Sequence, residues 1–339
     1  MADRLNWGIV ATGGIARAFA RGVAHSKTGR VVAVGSRTRE SAEKFAGEFG
    51  VPRAHGSYEA LLADAEVGAV YIATPHPQHV EWIVRAAAAG KHVLCEKPLA
   101  LTRADAATAV AACRAAGVVL MEAFMYRCHP QTAKIVELVR NGAIGRVGLV
   151  QATFSFSTGF DPKNRFFNKE LGGGGILDVG CYPVSLVRLI AGAAAGGPFA
   201  DPVNVTGAVQ LHPQTGVDVY AAATLQFAGG LIAQVATGVA LFQDSSARIY
   251  GSDGWLHVPE PWVPAREGGE TRIFLRRGAN ATAEEIVVRT DEWIYGLEAD
   301  AFAAALAAGE RDVPQMSTAD TLGNMAVLDA WRACAVPAV

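Results

Sequence analysis

The feature that most constrains this chain is the rhythm of its first ~125 residues, where short apolar runs alternate with longer alanine-rich segments. Candidate strands are Asn6–Ala11, Val31–Ser36, Ala69–Thr74, His92–Glu96 and Val118–Phe124. Helical stretches fall between them at Ile15–His25, Arg39–Phe49, His79–Ala89 and Arg103–Ala116. Gly29, Gly50, Gly90 and Gly117 stand just past their ends, where a left-handed residue closes a helix. Strands that are apolar throughout need cover on both faces, and alternation with helices makes them parallel. The expectation is an α/β, doubly wound parallel sheet.

Beyond residue 125 the rhythm changes. A helix at Gln131–Asn141 leads to a strand candidate, Arg146–Ser157, then a glycine-rich connection and a helix at Cys181–Ala191. Strand-like runs follow at Val203–Leu211, Val217–Phe227, Leu231–Thr237, Ala247–Tyr250 and Thr271–Arg276, with Gly229-Gly230 as a hairpin turn. Strands clustered with few helices between them read as a largely antiparallel sheet in an α+β domain. The expected division is 1–124 and 125–339, with a helical tail, Glu292–Ala335, able to pack back on the first domain. A length of 339 residues agrees with two domains at roughly 150 residues each.

Composition excludes several classes of function. With 51% hydrophobic and 18% charged residues the chain is not disordered, and a net charge of −2 gives no footprint for nucleic acid. No polybasic block points to an anionic membrane, and the Ala/Gly stretch 189–200 falls short of the ~20 apolar residues of a span. Met1–Trp7 shows no apolar signal core. The five cysteines are odd in number and never spaced C-x-x-C, which argues against a disulfide framework and against a bound metal. A reducing cytoplasm is therefore expected, and Asn204-Val-Thr and Asn280-Ala-Thr are chance glycosylation triplets.

The candidate chemistry sits in loops after strands. The turn Ala11-Thr12-Gly13-Gly14-Ile15-Ala16 occupies the G-x-G-x-x-G/A frame with Ala for its first glycine, in a strand–turn–helix context that suits a pyrophosphate. At the end of the second strand an NAD site would carry an acid. This chain has Ser36-Arg37-Thr38, which fits a 2′-phosphate and favours NADP over NAD; the plainer reading is a solvated arginine. Thr74-Pro75-His76 with His79, and Glu96-Lys97-Pro98, follow two further strands at the edge where ligands bind. Either histidine alone is more often structural, and a surface lysine before a helix is the plain reading of Lys97. In the block Gly172–Pro183, a helical conformation would put Asp178 and Tyr182 at i and i+4, one carboxylate and one phenol about 6 Å apart along the axis. Pro183 places Tyr182 near a helix start.

Together the Gly8–Ala16 turn, Thr74-Pro75, Glu96-Lys97-Pro98, Tyr126-Arg127-x-His129-Pro130 and Gly172–Tyr182 resemble the glucose–fructose oxidoreductase/inositol dehydrogenase (Gfo/Idh/MocA) family. The resemblance spans nearly the whole chain, including Pro314-x-Met316 and Leu328-Asp329. It implies a Rossmann domain followed by an open-faced sheet domain, with sheets pairing between subunits of a homodimer or homotetramer. It also implies NAD(P)-dependent hydride transfer at the carbinol or carbonyl carbon of a sugar, polyol or diol. By motif, Lys97 is the cleft lysine, on a Lys-Pro bond that is often cis, and Asp178 is the motif carboxylate. Many members carry His where this chain has Tyr182. The tyrosine resembles the branch of dihydrodiol dehydrogenases and NADP-dependent xylose dehydrogenases, where it is the expected acid/base. On that reading the ammonium of Lys97 favours the phenolate of a group whose free pKa is ~10, and Asp178 holds the adjacent hydroxyl. Tyr126, Arg127, His129, Arg165 and Phe166 are candidates for the substrate pocket, against packing roles of equal weight. An aldose 1-dehydrogenase is the first choice; a trans-dihydrodiol dehydrogenase or a keto-sugar reductase is next, and a dinucleotide-binding sensor without turnover is the rival outside enzymes.

Overall fold

The structure is a computed structural model that describes residues 4–279 and 281–335. The chain divides into two units, and the first comprises residues up to 129, 265–268 and 290–322. Its six strands are β1 (Leu5–Val10), β2 (Gly29–Gly35), β3 (Arg53–His55), β4 (Ala69–Ile72), β5 (His92–Glu96) and β6 (Leu120–Ala123). They form one parallel sheet in the order β3-β2-β1-β4-β5-β6. The reversal of winding between β1 and β4 opens a crevice at the carboxyl edge of the sheet, where such folds bind ligands.

The connecting helices are α1 (Gly14–Ala24), α2 (Arg39–Phe49), α3 (Tyr58–Leu62), α4 (His79–Ala88) and α5 (Arg103–Ala116). Their starts are written in the sequence: Thr38, Ser57 and Thr102 each accept a hydrogen bond from a backbone N–H of the first turn. Gly50, Gly90 and Gly117 close helices with positive φ as expected. Gly29 does not. It opens β2, where a Cβ would lie 2.7 Å from the Trp7 indole nitrogen, so the glycine answers to packing rather than to a helix end. β3 and α3 were not anticipated, being too short at three and five residues to show a period.

Helix α8 (Ile294–Ala307) belongs to this first unit although it comes late in the chain. Gly22 lets α1 and α8 approach, since a Cβ there would meet the Tyr295 Cβ at 2.4 Å. Phe302 of α8 completes an aromatic core with Trp7, Phe19 and Tyr71, each wholly buried. Each such side chain contributes about 1.5–3 kcal/mol on burial.

The second unit comprises residues 130–264, 269–289 and the chain from 323 on. It contains α6 (Pro130–Arg140), α7 (Cys181–Ala194) and the strands β7 (Val147–Ser155), β8 (Asn204–Leu211), β9 (Asp218–Gln226), β10 (Ile232–Gly238), β11 (Ala247–Gly251), β12 (Gly254–Val258), β13 (Gly269–Arg277) and β14 (Glu284–Thr290). The strand order is β14-β13-β12-β11-β7-β10-β9-β8, antiparallel but for the β7–β10 pair. Helix α7 lies on β7 and β10 and is buried along nearly its whole length. The other face alternates out to solvent, with Tyr220, Ala222 and Gln226 exposed on β9 and Ile232 and Gln234 on β10. This open face is the one the family resemblance implies. β12 and β14 were missed; in β14 only Ile286, Val287 and Val288 are apolar, behind Glu284 and Glu285, which pair with Arg277 and Arg272.

The last helix, α9 (Thr318–Ala333), contributes its first residues to one unit and the remainder to the other. Among the described residues the only helical stretch long and apolar enough to span a membrane is Lys169–Ala194, whose apolar window is entirely buried in the protein.

Candidate active site

In the first unit the predicted ligand residues gather at one sheet edge because they follow parallel strands. After β1 the backbone turns at Ala11, which takes a φ of +86°, and enters α1 through Gly13. Nothing but protein backbone prepares that helix start: no side chain caps it, and its first turn holds no acid. A Cβ at Gly13 or Gly14 would meet open space, so both backbones can be approached closely. Uncapped N–H groups and the helix dipole fit an anion. The residues present therefore fit a dinucleotide pyrophosphate, with Ala11, Thr12, Gly13, Gly14 and Ile15 forming the cradle.

After β2, Ser36 is buried and donates its backbone N–H to the His55 carbonyl, whereas Arg37 is exposed. Thr38 caps α2 through Ser41. An exposed guanidinium at this turn is of the chemical type that binds a 2′-phosphate.

The loops after β4 and β5 are braced against each other. His79 is wholly buried, with Nδ1 2.9 Å from the Pro98 carbonyl and Nε2 2.9 Å from the Thr74 carbonyl. Burial pushes its pKa down, opposed by the two carbonyls, to both of which only a doubly protonated ring donates at once. His79 thus sits between the two loops, and its ring lies 5.6 Å from that of the less buried His76. Pro75 is exposed, and the Thr74 hydroxyl is buried without a hydrogen-bond partner among the described residues. Glu96 is buried and accepts a hydrogen bond from the Tyr71 hydroxyl. Lys97 follows it, half-buried, on a cis peptide bond to Pro98, the form the family resemblance implies.

Sequence reasoning missed Glu298 of α8 in this unit. It is wholly buried, and neither carboxylate oxygen has a hydrogen-bond partner among the described residues. Burial, then the negative Glu96, pushes its pKa well above the carboxylate range. Of the pocket candidates, Tyr126 is wholly buried, and Arg127 donates to Asp320 at 2.6 Å and to the Gln315 carbonyl. His129 is buried too, which lowers its pKa to about 4.

In the second unit Asp178 and Tyr182 lie on one helical segment, but not on a plain α-helix. A π turn occupies Ile176–Gly180 ahead of α7, so one extra residue is accommodated just where Pro183 supplies no N–H. The simple i, i+4 geometry expected from the sequence is altered by that turn. Asp178 is buried and accepts a 2.8 Å hydrogen bond from the guanidinium of Arg165, whose own side chain is 51% exposed. Arg165 also covers the Phe166 ring, at 4.2 Å. The structure thus brings Arg165 and Phe166 to the motif carboxylate. The Tyr182 ring, nearly buried, meets Phe154 and Trp262 edge-on at 5.3 and 6.0 Å. Trp262 stacks on Phe154 and donates its indole N–H to the Thr153 carbonyl, which fixes this aromatic wall.

A turn that fits a dinucleotide on a doubly wound sheet, and a carboxylate and a phenol on one segment of the second unit, are features of the class of nicotinamide-dependent oxidoreductases. Comparison with known proteins gives the family. Residues 5–124 match the oxidoreductase family with the NAD-binding Rossmann fold, and residues 132–257 match the GFO/IDH/MocA C-terminal domain. The chain belongs to the GFO/IDH/MocA family and is an NAD(P)-dependent oxidoreductase. It is 36% identical to the mouse trans-1,2-dihydrobenzene-1,2-diol dehydrogenase over 80% of each chain. It is 34% identical to a D-xylose 1-dehydrogenase (NADP(+)) of Haloferax volcanii, over 96% of this chain and 95% of that one. Among solved structures, a 3-ketoreductase from Actinomadura kijaniata in complex with NADP and TDP-benzene superposes with a TM-score of 0.87 at 30% identity, covering 98% of both chains.

Proposed function

We propose that this oxidoreductase uses NADP and acts on a sugar or related diol, with an aldose of the xylose type, oxidised at its anomeric carbon, as substrate. The observation that carries the reading is the buried Asp178–Tyr182 pair on one helical segment, backed by an aromatic wall. Arg37 in place of an acid after β2, and the NADP-linked xylose enzyme among the relatives, support the choice of cofactor and substrate.

When bound, the nicotinamide supplies the acceptor for a hydride. The protein's own part is to bind, orient and deprotonate. Tyr182 takes the proton of the substrate hydroxyl as the carbon gives up its hydride, so that the C–OH becomes C=O and the phenolate becomes a phenol. Asp178 accepts a hydrogen bond from the neighbouring hydroxyl and so orients the carbinol carbon; its present partner, the solvent-facing Arg165, can yield that oxygen. Lys97, the cleft lysine of the motif, is the third catalytic residue of this reading. The dinucleotide is held by the Ala11–Ile15 turn, by Ser36, Arg37 and Thr38, and by the loops at Thr74–His76 and Glu96–Lys97, which His79 braces.

A second reading, an aromatic trans-diol as substrate, is favoured by the Phe154–Trp262 wall around Tyr182 and by the likeness to the mouse enzyme. We also place the protein in the cytoplasm, its five thiols being free, and as a homo-oligomer through the open sheet face, where Tyr220 and Ile232 are exposed. A monomeric mass in sedimentation would refute the last point. The substrate is tested by following reduced-nicotinamide absorbance across aldoses, inositols and aromatic trans-diols with each dinucleotide. Turnover of D-xylose-like aldoses with NADP is expected. Turnover confined to aromatic diols, or to NAD, would overturn the first reading.

A further inference from the structure

The segment that carries Asp178 and Tyr182 begins in four glycines, and its geometry is fixed from a distance. Asp218 stands at the start of β9. Its Oδ2 accepts the Ile176 N–H at 2.6 Å, 42 residues away in sequence. No side chain of the segment itself caps that start. Gly174 turns with a φ of +112°, and a Cβ there would lie 2.1 Å from Asp218 Oδ1, so the carboxylate occupies the space an ordinary residue would need. The turn is tied on its other sides as well. Gly173 and Gly174 donate to the carbonyls of Asn168, just after the Arg165–Phe167 turn, and of Phe166 within it, and the Thr237 hydroxyl donates to the Gly175 carbonyl. A Cβ at Gly175 would press on the Gly238 backbone at 3.0 Å, which presses the turn against β10.

We propose that Asp218 is a positioning residue: as a remote cap on the Gly172–Gly175 turn, it sets the placement of Asp178 and Tyr182 for the reaction. The inference rests on the roles given to those two residues above. A helix start held by one short hydrogen bond and one close packing contact has a defined entry angle, and a catalytic group two to six residues along inherits it. Burial raises the carboxyl of Asp218 to about 6, opposed by N–H groups of Ile176, Asp218 and Gly175 and by the charge of Arg332. The proposed role needs an acceptor for the Ile176 N–H, which an amide also supplies. A neutral amide oxygen at the same place serves nearly as well.

The test uses Asp218→Leu, which removes the acceptor at similar size, and Asp218→Asn, which keeps it. Asp218→Ser, too short to reach Ile176, replaces the leucine variant if that one does not fold. The expected result is a kcat at least tenfold lower for Asp218→Leu with dinucleotide Kd unchanged, and near wild-type kcat for Asp218→Asn. In a Tyr182→Phe background the leucine change should cost less than in the wild type, because one of the two groups it acts through is already removed. Loss of dinucleotide affinity in step with kcat, an equal loss in both Asp218 variants, or full additivity with Tyr182→Phe would overturn the proposal. Full turnover by Tyr182→Phe alone would instead overturn the catalytic reading beneath it.

Discussion

Ala11 occupies backbone space that normally goes to glycine, with a φ of +86° at the entry to the dinucleotide turn. Positive φ costs an alanine about 1–2 kcal/mol. Glycine would lose about 0.4–1 kcal/mol through the greater freedom of the unfolded chain. The balance favours Ala11→Gly by roughly 0.5–1 kcal/mol. A thermal melt should show a small rise in Tm, and a fall would contradict the strain assigned to this residue. The same scale shows what a sequence reveals of a site. Lys97, Asp178 and Tyr182 are assigned through motifs whose residue types suit the proposed chemistry. Asp218, Glu298 and the Arg165–Asp178 pair were not legible as such, because their meaning lies in a partner 13 to 202 residues away: Arg165 to Asp178, Ile176 to Asp218, Glu96 to Glu298.

At the scale of elements, the strands and helices that could be read were those with a strong period or a capping residue. His92–Glu96, Arg39–Phe49 and Arg103–Ala116 have the bounds the sequence indicates, two of them behind a threonine cap and a closing glycine. β3 and α3 were too short to register, and in β14 the apolar run is only three residues long. The π turn before α7 could not be foreseen, since the glycines permit it without specifying it. Helix α8 offers a prediction of its own through Glu298. Its carboxyl stays protonated in the fold well above the ordinary carboxylate range, whereas in the unfolded chain it ionises near pH 4.5. The unfolded state therefore gains from each rise in pH above about 4.5, and the fold loses stability until its own raised pKa is passed. Glu298→Gln removes this dependence. Its Tm relative to wild type should climb between pH 4.5 and 8. A difference independent of pH would show that the carboxyl is ionised in the folded protein.

For the whole molecule, two domains and a net charge of −2 gave no partner from composition alone. The division of labour explains why. A few placed groups around one helix start suffice to hold a polyanionic dinucleotide, so the charge of the entire chain carries no trace of it. The residues proposed to hold the dinucleotide fall in the first unit, whereas Asp178 and Tyr182 fall in the second. Binding and proton transfer should therefore separate by mutation. The most direct test is the Tyr182→Phe variant, with steady-state turnover of the best substrate and dinucleotide Kd measured in parallel. The account predicts a kcat lower by 100-fold or more, within the roughly 10²–10⁴ range of acid–base catalysis, with Kd unchanged. Wild-type turnover by this variant would contradict it.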